Sequence, residues 1–108
     1  MNPLSDPEDL HEATRVINSY AQSDWCGIAF SRHARERMAE RFIPGDVITS
    51  ALKSGTVVDV RTEVTQAGRR IYKYEVEMRD QYGRVTVVTA VPGRLKLLVV
   101  TAYTDIPD

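Results

Sequence analysis

The chain has one cysteine, Cys26, and two widely separated histidines, His11 and His33, among its 108 residues. A lone thiol excludes an intramolecular disulfide and a cysteine-rich zinc site. The histidines also lack the HxxxH spacing of a helical metal pair. No metal or cofactor is therefore expected. No apolar run is long enough to cross a bilayer, and the acidic start MNPLSDPEDL is unlike the basic and then apolar pattern of a secretion signal. A cytoplasmic location without a membrane partner is the expectation. Excess charge of one sign is missing too, since 14 Lys+Arg against 15 Asp+Glu leave a net charge of −1. Any attraction to a polyanion must come from local clustering of basic groups.

Apolar residues make up 43% of the chain and charged residues 27%, a balance that supports a folded core. The length suits one domain, 1–108. Residues 7–22 (PEDLHEATRVINSYAQ) have Leu10, Ala13, Val16, Ile17 and Tyr20 at helical spacing. Asp6 is the expected cap and Pro7 suits the first turn, while His11 lies off the apolar stripe. Trp25 to Phe30 is a short segment bringing apolar residues toward the core. Ser31 is the expected cap of a second helix over 32–42, broken by Ile43-Pro44-Gly45. A third helix over about 44–53 buries Val47, Ile48, Ala51 and Leu52 and ends at Gly55.

From Thr56 onward the chain turns to TVVDVRTEV, RRIYKYEVEM, RVTVVTAV and LKLLVVTAYT, rich in β-branched and aromatic residues. The breaks at Gln66-Ala67-Gly68, Asp80-Gln81-Tyr82-Gly83 and Pro92-Gly93 are short enough for hairpins. The expected fold is α+β, with N-terminal helices packed on one face of a four-stranded antiparallel sheet. Strict alternation puts Tyr72, Tyr74, Val76 and Met78 on one face of their strand, opposite Ile71, Lys73, Glu75 and Glu77. In the last strand it puts Thr101 and Tyr103 with Leu97 and Val99.

The stretch SRHARERMAERF, residues 31–42, holds four arginines, one histidine and two glutamates. Spacing by four stacks His33, Arg37 and Arg41 in one row and Ala34, Met38 and Phe42 in the next. The apolar row is the expected core contact, with the cationic row at its rim. One reading makes that row a solvated surface whose arginines pair with Glu36, Glu40, Glu75 or Glu77. The other makes it a phosphate grip beside an imidazole that titrates near neutrality, the equipment of a metal-independent ribonuclease. Thr101 and Tyr103 could add hydroxyls to a phosphate site. Tyr72 and Tyr74 could stack on bases or simply pack, and Lys73, Arg84 and Lys96 are further cations.

The residues His33, Ala34, Arg37, Met38 and Arg41, the segment Ile43-x-x-x-Asp46-Val47 and the closing Val100-Thr101-Ala102-Tyr103 carry a resemblance over residues 28–105. The chain resembles small bacterial domains of unknown function that open with a His-Ala-x-x-Arg-Met-x-x-Arg helix. They are grouped with the barnase–EndoU–colicin–RelE superfamily of toxin-like ribonucleases. The resemblance implies a RelE/barnase-like core over 25–108, with residues 1–24 as an N-terminal helical extension. It implies an endoribonuclease toxin acting on RNA and held by a cognate antitoxin or immunity protein. His33 would be the acid–base group and Arg37 and Arg41 the phosphate ligands, supported by Thr101 or Tyr103. The alternative is a non-catalytic protein-binding module on the same scaffold, favoured by the neutral charge and the first helix. DNA binding through the second and third helices is a poorer fit, because the third carries only Lys53 as a basic side chain.

Overall fold

Asp9, not Asp6, starts the first helix. In the computed structural model, which describes residues 3–80 and 83–105, its carboxylate accepts hydrogen bonds from the backbone N–H groups of His11 and Glu12. Helix α1 accordingly spans Leu10–Gln22. Asp6 is committed to the turn before it: its carboxylate accepts from Glu8 N–H and its carbonyl from Asp9 N–H. Glu12 reaches back to accept from Ser5 and Asp6 N–H, and Leu4 is buried. Of the predicted stripe, Ala13 and Ile17 are fully buried and Leu10, Val16 and Tyr20 pack beside them, and Ala21 joins the buried face.

Two more helices follow, α2 (Arg32–Glu40) and α3 (Gly45–Ser54). The C-terminal carbonyls of α3 are satisfied from α1. Asn18 Nδ2 donates to the carbonyls of Leu52 (2.8 Å) and Gly55 (3.1 Å), and Gln22 Nε2 to that of Lys53 (2.9 Å). At Gly55 a side chain has no room, since a Cβ would collide with the Ala51 carbonyl and lie 2.8 Å from Val76 Cγ1. Among the described residues, no helix is long and apolar enough to cross a membrane.

The sheet has five strands, not four, and is mixed. Strands β2 (Thr56–Val64), β3 (Arg70–Asp80), β4 (Gly83–Gly93) and β5 (Lys96–Asp105) form the expected antiparallel meander. The segment Gly27–Phe30 is a further strand, β1, paired parallel to β5, and the order across the sheet is β1-β5-β4-β3-β2. Four residues are too few to show a period, and their partner lies far along the chain. The turn after β2 uses Gly68 at φ 80, as its sequence predicted. The last hairpin turns at Arg94-Leu95, with Leu95 at φ 55, after Pro92 and Gly93 have completed β4. Gln81 and Tyr82 of the remaining predicted turn lie outside the described residues.

The core unites one face of this sheet with all three helices. Val57, Tyr74, Val76, Val85, Val87, Val91, Leu97, Val99 and Ala102 pack in one cluster with Ile17 of α1, Ala34 of α2 and Ile48 and Leu52 of α3. Strand β3 obeys its predicted alternation: Tyr74 and Val76 are buried, with Tyr72 and Met78 packed beside them. Tyr74 is fully buried, and its hydroxyl donates to the Pro7 carbonyl at 2.7 Å. Helix α1, read in the sequence as an extension, is thus part of the core.

Candidate functional site

Ser31 joins the last residue of β1 to the first of α2 and fixes both to β5. Its N–H donates to the Val99 carbonyl (2.9 Å). Its Oγ accepts from Ala34 N–H (3.0 Å), the predicted cap, and donates to the Val100 carbonyl (2.9 Å). Val100 is a bulge residue, because Val88 pairs with Thr101 while its neighbour Thr89 pairs with Val99. A bulge leaves one residue outside the ladder and changes the phase of the strand. The hydroxyl of Ser31 therefore meets a carbonyl that the ladder leaves over.

The bulge corrects the placement of Thr101 and Tyr103. They do not continue the face of Leu97 and Val99, since Ala102 takes the core position beyond the bulge. Thr101 and Tyr103 lie half-buried on the other face, beside their partners Val88 and Thr86. Helix α2 docks on the covered face through Ala34 and Met38. The five candidate residues thus form two groups, His33 and Arg37 on α2 with Arg41 at its C-cap, and Thr101 and Tyr103 on the opposite face of the sheet. The α2 N-terminus meets β5 at the bulge through Ser31.

Along α2, His33 and Arg41 are exposed and Arg37 is half-buried. Arg37 pairs with Glu40 at 3.1 Å and Arg32 with Glu36 at 3.2 Å. The sheet acids do not serve α2. Glu75 pairs with Arg61 (2.9 Å), and Glu77 with Arg79 (3.1 Å) and Arg84 (3.7 Å). Among the described residues, no acid lies within ion-pairing distance of His33, Arg35 or Arg41. Four guanidiniums on α2 thus meet two glutamates, and the surplus positive charge is solvent-facing.

The helix ends earlier than its spacing predicted, and this corrects Phe42. Ile43 N–H donates to the Met38 carbonyl (2.9 Å) and Phe42 N–H to that of Ala39 (3.5 Å), with Phe42 at φ 54. This is the Schellman arrangement, whose left-handed residue is usually glycine. Phe42 leaves the apolar row and is 90% exposed, while Ile43 enters the core in its place. A missing glycine at the helix end concealed this stop in the sequence.

Several other candidates are accounted for by packing or pairing. Tyr74 is buried, and its phenol is pushed up to about 12 by burial first, then by Tyr72 and the nearby acids of the N-terminal segment. Tyr72 packs against the core, Lys73 pairs with Glu63 (2.9 Å), and Arg84 with Asp105 (2.8 Å) and Glu77. Lys96 is exposed at the start of β5, and His11 is exposed on α1. Burial pushes the Cys26 thiol up, which lowers its thiolate fraction near neutrality. Among the described residues, no three His, Cys, Asp or Glu side chains group so as to hold a metal ion.

Guanidiniums such as those of α2 can hydrogen-bond an oxyanion, and an imidazole can exchange a proton. A family model described as a domain of unknown function (DUF4258) matches residues 30–104, from the last residue of β1 almost to the end of β5. No curated protein and no solved structure matches the chain.

Proposed function

The chain belongs to the DUF4258 family, and from that premise and the surface of α2 we propose that it is a metal-independent endoribonuclease of the toxin type. The supporting observation is the charge surplus on α2. Arg61, Lys73, Arg79 and Arg84 in the sheet each have an acidic partner, whereas His33, Arg35 and Arg41, like Arg70 and Lys96 at the starts of their strands, have none among the described residues. Arginines at the end of a helix favour its dipole modestly, and the same exposed guanidiniums can hydrogen-bond a phosphodiester.

In this reading Arg37 and Arg41 hold the phosphate, and Arg37 exchanges Glu40 for the substrate. His33 takes the ribose 2′-hydroxyl proton as O2′ bonds to phosphorus, and the P–O5′ bond breaks with its electron pair leaving on O5′. The guanidiniums stabilise the extra charge of the phosphorane. The imidazolium then returns its proton to O5′, leaving a 2′,3′-cyclic phosphate. Thr101 and Tyr103, turned to the opposite face of the sheet by the bulge, stand apart from this row and are assigned no role in the step. The reading carries a RelE/barnase-like fold, a cytoplasmic RNA target and a cognate antitoxin or immunity protein that covers the α2 row.

The test is to incubate purified protein with RNA, with and without chelator, and to map fragments and their ends. Fragments with cyclic phosphate ends in chelator are expected, falling by roughly 100-fold or more in His33→Ala with the circular dichroism spectrum unchanged. Undiminished cleavage in that variant would remove His33 from the mechanism. The second reading, a protein-binding module, draws on the sheet face opposite the helical core, where Val88, Leu98, Thr101 and Tyr103 are half-buried. It gains if wild-type protein leaves RNA intact.

A further inference from the structure

Phe42 combines two features that the fold does not need. Its φ of 54 lies in the left-handed region, where a side chain is strained and glycine is the usual occupant. Its ring is 90% exposed, so nothing in the chain rewards the phenyl group. The apolar contact that accompanies a Schellman end is available from Ile43, in the core, and Met38, packed against it. Strain held at an exposed side chain with no packing role points to a use outside the folded chain.

Its neighbours indicate which use. Phe42 directly follows Arg41, the cation of the row that has no acidic partner among the described residues. The residues around it are Glu40, Arg41, Pro44 and Gly45, all exposed. A protein hot spot lies inside a wider apolar patch that excludes water, whereas the two residues before Phe42, Glu40 and Arg41, are charged and exposed. A lone aromatic beside a guanidinium matches one nucleotide, whose base stacks while its phosphate is bound.

We infer that Phe42 is a stacking platform for an unpaired base, so that the α2 site selects single-stranded RNA over duplex. The inference rests on the ribonuclease reading and narrows its substrate class. Bases within a duplex are already stacked and cannot reach the ring. Phe42 is here a binding residue next to the reacting phosphate and takes no part in proton transfer.

The experiment measures binding of a short labelled 2′-O-methyl RNA, which lacks the attacking hydroxyl, as a single strand and as a blunt duplex. Wild-type protein should prefer the single strand. Phe42→Gly should weaken single-strand binding by roughly tenfold and leave duplex binding unchanged. The same substitution should raise the melting temperature by a few degrees, on the order of 3 °C, because it relieves the left-handed strain. Phe42→Trp should restore the preference. Unchanged single-strand binding in Phe42→Gly, alongside weakened binding in Arg41→Gln, overturns the stacking role and leaves the ribonuclease reading intact. Unchanged RNA binding together with loss of a co-purifying protein assigns Phe42 to a protein interface and also overturns it. No binding of either RNA by the wild type defeats the ribonuclease reading, and the stacking role falls with it.

Discussion

Helices α1 and α2 lie on the same face of one sheet and contribute to one core, yet their polar side chains are used in opposite ways. On α1 three of them bond to other parts of the fold. Thr14 Oγ1 accepts from Val57 N–H (2.9 Å), Asn18 bonds the last carbonyls of α3, and Gln22 bonds that of Lys53. On α2 only Ala34 is fully buried, and most of the charged side chains are exposed. The contrast separates a helix held for structure from one held for what it displays. Residue 30 opens the family match, so α1 lies outside the matched segment even though it completes the core.

Four stability measurements would break or sharpen this contrast. Ile17→Ala removes a fully buried α1 side chain and should cost about 2–5 kcal/mol in denaturant unfolding. A cost below about 1 kcal/mol would mean that α1 is peripheral after all. The next largest effect is alkaline. Tyr74, covered by the segment leading into α1, has its phenol raised from an ordinary value near 10 to about 12. The folded state therefore holds that proton more tightly than the unfolded state. The resulting stability is fully present below pH about 10 and is lost as the pH rises toward about 12. This loss should reach roughly 2–3 kcal/mol, and Tyr74→Phe should abolish that part of the pH dependence.

Asn18→Ala comes third. It leaves the carbonyls of Leu52 and Gly55 without their donor, at about 1–3 kcal/mol by the same unfolding assay. Smallest of all should be Arg41→Ala and His33→Ala, each within about 0.5 kcal/mol of wild type, because both side chains are exposed and no ion pair holds them. A cost above about 1 kcal/mol at either position would make the α2 row structural and erase its difference from α1.

Much of this was legible in the residues. The α1 stripe through Ala13 and Ile17 follows from a period of 3.6, and the split of β3 into Tyr74/Val76 and Lys73/Glu75 from a period of two. Ser31 was legible as a helix cap because its hydroxyl acts within one turn of chain. The other bond of the same hydroxyl was not legible. Its partner, the Val100 carbonyl, lies 69 residues away and is available only because β5 bulges there. The bulge also moved Thr101 and Tyr103 to the opposite face, as any one-residue slip does. Phe42 misled for a related reason, since a helix that stops without glycine leaves its period running on in the sequence.

The amino-acid sequence by itself determined the helices, the meander, most of the residues that enter the core and the row of His33, Arg37 and Arg41, because each is read from a period within a short stretch of chain. Tertiary structure decided the parallel pairing of β1, the facing of Thr101 and Tyr103, and the pairing of the sheet acids with sheet cations instead of α2. Each of those depends on a partner brought near only by folding. The free charge on α2 belongs to both: the arginines stand in the sequence, and the fold commits elsewhere the sheet acids that could have neutralised them.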